Sequence, residues 1–173
     1  RDRSVSRGLG DVYKRQFTHN PRFGYLFFLS QMKSGDTRDM WNEVLKIIFY
    51  ILAIVGIIVI SKQKTWWKKA AMLVSIIILL PTNSGFYCGL YLFPIVVLFF
   101  NEEKHNWLDI LYMLSMIVIL NPFQLMTKKG VNITLTAANI AMFVFAGLLL
   151  IDNIVNFIRV LIEQRRMKGA LPN

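Results

Sequence analysis

The residues whose types and spacing could do chemistry fall in two short polar stretches set between apolar blocks. Pro81-Thr82-Asn83-Ser84, with Tyr87 and Tyr91 just beyond, put hydroxyls, an amide and aromatic faces close together. Asn121, Gln124, Lys128 and Lys129 form a second set, which approaches the same mouth if the apolar blocks bundle. A lysine pair suits a phosphate or diphosphate through charge-assisted hydrogen bonds. Hydroxyls, amides and aromatic rings suit a sugar. The plainer alternative for both sets is interfacial tyrosines and snorkelling lysines against lipid headgroups. Two acids, Asp109 and Asp152, also fall in or beside apolar blocks, where ionisable groups are candidates for function. Asp109 follows Trp107 by two residues, an interfacial position where hydration is cheap. Asp152 lies near Asn153 and Asn156, and pairing with a basic neighbour or an inner cavity is the favoured reading for it. His19 and His105 stand alone and read as solvent-facing; Cys88, the single cysteine, reads as a small core residue.

Much chemistry is excluded by what the sequence lacks. It contains no glycine-rich phosphate loop, no GxSxG, no HExxH and no DxD pair, so neither a metal site nor a cofactor is expected. The chain is 55% hydrophobic and 17% charged, with a mean hydropathy of +0.47. Its apolar residues gather in blocks on the length scale of a bilayer core. The formal net charge is +10, but most cations flank those blocks, as membrane orientation requires, and do not form a nucleic-acid face. The expected partners are therefore membrane lipids, with no nucleic acid.

These groups need elements to hold them. The expected fold is all-α: a multi-pass transmembrane helix bundle of about five spans, part of a larger membrane protein. Residues 1–16, through the run from Ser6 to Gln16, resemble a translated sequencing-library adapter, and the expectation is that they are not native. A basic N-terminus or the start of a signal peptide is the alternative. Residues 1–16 carry five cations and two anions, which leaves +7 for the remainder. Residues 17–42 read as an outward loop or interfacial segment, with a turn at Lys33-Ser34-Gly35-Asp36. Residues 43–160 form the transmembrane domain, with spans near 44–60, 69–81, 86–100, 107–121 and 133–158. The second and third are separated because one helix over 70–100 would run about 46 Å, against a core of about 30 Å. Residues 161–173 read as a basic cytoplasmic tail. Lysine and arginine on alternate sides number nine and five, so the C-terminus is expected inside and the 81–85 and 121–131 loops outside.

The stretch from Leu79 to Pro94, running into Phe99-Phe100-Asn101-Glu102-Glu103, resembles the C-terminal half of bacterial multi-pass glycosyltransferases of the family 87 type, which have a C-type membrane fold. Asn121-Pro122-Phe123-Gln124 and the helix from Asn139 to Asp152 are similar in layout, so the resemblance covers about residues 70–157 at the level of pattern. It implies transfer of a sugar from a polyprenyl-phosphate donor to an envelope glycan or lipid acceptor on the outer face. It maps Pro81 to Tyr87 to a wall of the lipid-phosphate or acceptor site. The catalytic acid of such enzymes lies in a first outward loop near the N-terminus, so no catalytic residue is carried over and the acid is expected upstream of this chain. An O-antigen polymerase or ligase of lipid-linked glycans would share the outward polar turns. A transporter would show repeated halves and intramembrane charge at matched positions.

Overall fold

Long apolar stretches with few breakers, bounded by polar turns, fold as five α-helices and one 3-10 segment in a computed structural model that describes Gly24, Leu29 and residues 36–80, 86–121 and 133–169. They are α1 (Asp36–Ile60), α2 (Trp66–Leu79), the 3-10 segment Phe86–Leu92, α3 (Phe93–Phe100), α4 (Trp107–Ile119) and α5 (Ile133–Gly169). Among the described residues there is no strand, and a helix lies within each of the stretches expected to be a span. Two helices, over Arg38–Ile60 and Ile133–Met167, are long and apolar enough to cross a membrane. The others are shorter: at about 1.5 Å per residue, the 14 residues of α2 reach only about 21 Å.

Where the helices begin and end differs from the sequence reading. Helix α1 starts at Asp36, ahead of the expected span at 44, so the polar residues from 36 to 43 are helical and not part of a loop. Helix α5 continues through the expected tail to Gly169. Residues 159–168 are rich in good helix formers, with neither glycine nor proline before Gly169 to stop them. The third predicted span is not one regular helix. Pro94 occupies the first turn of α3, where its missing N–H costs nothing, and the seven residues before α3 take the 3-10 form. A 3-10 turn rises about 2.0 Å per residue, so the composite 86–100 segment reaches about 26 Å, compared with about 22 Å for a plain α-helix.

The core is centred on α2. Trp67, Ala71 and Ile78 are almost fully buried, and the 3-10 segment, α3, α4 and α5 bring Leu92, Ile95, Phe99, Tyr112, Met142, Phe145 and Leu149 against them. An aromatic chain ties the helices together edge to face: Trp67 meets Phe99 at 5.0 Å and Tyr112 at 5.3 Å, and Tyr112 meets Phe145 at 5.8 Å. Buried hydroxyls turn back on their own helices, Ser75 to the Ala71 carbonyl and Ser115 to the Leu111 carbonyl. Helix α1 is peripheral. Only 11% of its most apolar stretch is buried, so Ile47, Ile51, Ile54, Ile57 and Ile58 face outward together with Tyr50.

Two glycines mark close approaches. On α1, Ala53, Gly56 and Val59 form the buried stripe, and small residues of this kind let helices come together. A Cβ on Gly56 would sit 2.5 Å from the Met72 terminal methyl of α2. Gly24 has φ of 90° and rests on the Leu79 carbonyl, 2.7 Å from where a Cβ would stand, so no side chain fits there. Gly24 thus brings part of the 17–42 stretch back to the far end of α2, and Leu29 in the same stretch is buried. The α1–α2 contact gives a graded expectation. Gly56→Ala is accommodated by a shift of the flexible Met72 side chain, whereas Gly56→Leu overpacks the interface and costs about 1–3 kcal/mol. The unfolding midpoint of the purified chain in a denaturing-detergent titration measures both.

Candidate functional site

Helix directions place the predicted mouth at one end of the bundle. Helices α2 and α4 run the same way and α5 runs against them: Gln63 just before α2 bonds to Asn153, past the midpoint of α5, and Leu80 shares a cleft with Phe143 nearer its start. Trp67 meets Tyr112, while Ile119 lies near Gly89. Leu80, Phe86, Asn121 and Ile133 therefore share one end. Of the residues expected to form the mouth, Pro81, Thr82, Asn83, Ser84, Gln124, Lys128 and Lys129 lie outside the described residues, and so does the side chain of Tyr87. Tyr91 is half exposed on the 3-10 segment. Asn121 follows α4, partly buried and engaged with a neighbour. Asn139, two turns into α5, is fully buried. Its amide donates to the Leu135 carbonyl at 3.1 Å, and its Oδ1 has no partner.

The opposite end carries most of the described polar contacts. The Lys68 ammonium donates to Asp152 Oδ2 at 2.7 Å, with side-chain exposures of 12% and 26%. It also lies 5.5 Å from the Trp67 ring and 5.8 Å from the Tyr112 ring. One helical face further on, Gln63 donates through Nε2 to Asn153 Oδ1 at 2.8 Å, while its Oε1 accepts from the Lys64 amide at 2.9 Å. Asn156 donates to the Lys62 carbonyl at 3.2 Å. Residues 152, 153 and 156 thus present one polar stripe to the turn between α1 and α2. This confirms a basic neighbour for Asp152. Asp109 is a helix cap: Oδ2 accepts from the Asn106 amide at 2.7 Å and lies 3.5 Å from His105 Nδ1.

Chemically this end works as a clamp. Asp152 pairs with an ammonium, and Asp109 caps a helix through Oδ2 while its Oδ1 stays buried without a partner. Among the described residues no group of three His, Cys, Asp or Glu side chains is placed to hold a metal ion. Sequence reasoning did not identify Lys68 or Gln63 as the partners. The signal was present in the spacing of Asp152, Asn153 and Asn156, which puts three polar side chains on adjoining positions of an otherwise apolar helix.

A third feature joins the two ends. Between α1, α2 and α5 lies an apolar cleft of about 140 Å³, walled by residues that include Phe49, Met72, Ile76 and Phe143 and reaching Leu79 and Leu80. Gly147 forms part of its floor, and a Cβ there would meet no atom within 4 Å.

The clamp makes a prediction of its own. Asp152→Leu or Lys68→Met alone strands a half-buried charge and lowers stability by about 1–3 kcal/mol. The double variant, which removes both charges, is less destabilised than either single one. Thermal unfolding of the four proteins in one detergent measures the difference.

Comparisons with protein-family models, with curated proteins and with solved structures find no match to this chain, so its placement rests on its own residues and geometry.

Proposed function

We propose that this chain is the membrane-embedded helical part of a glycosyltransferase that takes its sugar from a polyprenyl-phosphate donor and passes it to an envelope glycan or lipid acceptor. The bundle crosses the membrane several times with its C-terminus in the cytoplasm. The outward end, from Pro81 to Tyr91 with Asn121, Gln124, Lys128 and Lys129, receives the polar part of the donor.

The observation that carries this reading is the cleft between α1, α2 and α5. Its walls are almost wholly apolar, and Leu79 and Leu80 at one end of it immediately precede Pro81-Thr82-Asn83-Ser84 in the chain. An apolar cavity of about 150 Å³ holds a six-carbon ring, so this one seats a short piece of an isoprenoid chain while the rest lies in the bilayer. A lipid lodged there would bring its phosphate to the polar turn. Lysines 128 and 129 suit the phosphate that leaves when the sugar is transferred. An inverting transfer of this kind uses a carboxylate as general base on the acceptor hydroxyl, and no described residue is assigned that role.

Gly147 offers a clean test. In Gly147→Leu the new side chain enters open space in the cleft, and the exchange favours the helix by about 0.8 kcal/mol. The variant should fold at least as well as the parent. Labelling of the reconstituted chain by a photoreactive polyprenyl phosphate should fall by at least about tenfold, equivalent to about 1.4 kcal/mol of binding. Undiminished labelling, or labelling that maps away from Met72, Leu79 and Phe143, would count against the donor reading.

A further inference from the structure

The clamped end of the bundle carries more positive charge than its acids can neutralise, and the excess lies beside exposed apolar surface. Lys68 is taken up by Asp152. Lys62, Lys64, Lys69, Lys104, Arg159, Arg165 and Arg166 make no ion pair among the described residues, and the unpaired acids at the same end are Glu102, Glu103 and Glu163. Seven cations thus face three acids. The Lys69 ammonium sits 4.8 Å from the ring centroid of Trp66, which is 73% exposed, and Trp107 is 72% exposed at the start of α4. Aromatic rings of this kind mark the headgroup level of a bilayer.

Helix α5 overshoots that level. From Asn156, which bonds to Lys62, it runs thirteen residues further to Gly169, about 20 Å at 1.5 Å per residue. Along the overhang Val155, Ile158 and Ile162 form an exposed apolar strip on the same face as Arg159, Glu163 and Arg166, where a shallow trough opens. A free phosphate would use the arginines and leave the strip bare. A lipid meets both, with its glycerol region against the near end of the strip at Val155 and Ile158 and its phosphate among the arginines.

We propose that this end of the bundle is a binding surface for the headgroups of anionic phospholipids, formed by Lys62, Lys64 and Lys69 beside Trp66 and by Arg159, Arg165 and Arg166 on the overhang of α5. The inference rests on the membrane reading of the bundle and is independent of the donor assignment. Bound anionic lipid offsets the surplus charge and fixes the depth at which Trp66 and Trp107 sit. It also gives the overhanging turns of α5 a surface to lie against.

The test uses the full chain reconstituted in vesicles of equal phosphatidylglycerol and phosphatidylcholine, extracted in mild detergent, with retained lipids counted by native mass spectrometry. Phosphatidylglycerol should be enriched about fivefold over phosphatidylcholine, the ratio that about 1 kcal/mol from an engaged cation produces. The enrichment should collapse at an ionic strength of about 1 M, where the screening length falls to about 3 Å. Lys62→Gln, Lys64→Gln and Lys69→Gln together, or Arg159→Gln, Arg165→Gln and Arg166→Gln together, should each weaken it, and all six should abolish it. These positions are outside the core, and unchanged thermal unfolding confirms folding in each variant. Equal retention of the two lipids by the parent, or enrichment that survives all six substitutions, overturns the proposal. Release of the chain by alkaline carbonate would contradict the membrane reading itself, and this inference with it.

Discussion

The arrangement of this bundle depends on how the long helix α5 is held against the turn between α1 and α2. Most buried surfaces here are apolar, and in a hydrocarbon surrounding one apolar face has little reason to choose another. Polar contacts therefore carry more of the burden of register. Lys68 with Asp152, Gln63 with Asn153, and Asn156 with the Lys62 carbonyl fall on successive positions of one helical stripe. A slip of α5 by one turn would break all three. With that register set, Phe145 meets Tyr112, Tyr112 meets Trp67, and the small residues Ala146 and Gly147 face α1 and α2 across the cleft. The cleft exists because large side chains are held above and below a place where small ones line the wall.

The two ends then have different work. At the clamped end polar groups pair across the helices and anchor them, although Asp109 Oδ1 and Asn153 Nδ2 stay buried without a partner. At the far end Leu80, Asn121 and the start of α5 converge, and Asn121, Thr134 and Thr136 are engaged with neighbours there. Asn139 belongs to that half and keeps an acceptor oxygen buried without a partner.

Much of the helical layout was legible in the sequence, because apolar blocks interrupted by Pro81, Asn101 to Asn106 and Asn121-Pro122 leave little choice of element. The ends were less legible. Charged residues from 159 to 168 look like a tail when judged by polarity, yet their helix propensity lets α5 continue to Gly169. Pro94 signalled a break, but the 3-10 form of the residues before it depends on their packing against α2 and could not be read locally. For Asp152 the kind of partner was foreseeable and its identity was not, since Lys68 is 84 residues away and meets it only through the fold. Gln63 carries no local mark of its role. The outward set from Pro81 to Lys129 rests on residue chemistry and on the common end at which the structure places the helices that flank it.

The central claim is that the two polar ends lie on opposite sides of a membrane, with the clamp inside. Single cysteines placed at Lys64 and Asn121 in a Cys88→Ala background, probed with an impermeant maleimide on intact cells and again after permeabilisation, test it most directly. The account predicts that position 121 labels in intact cells and that position 64 labels only once the membrane is opened. Labelling of both positions from the same side would contradict it.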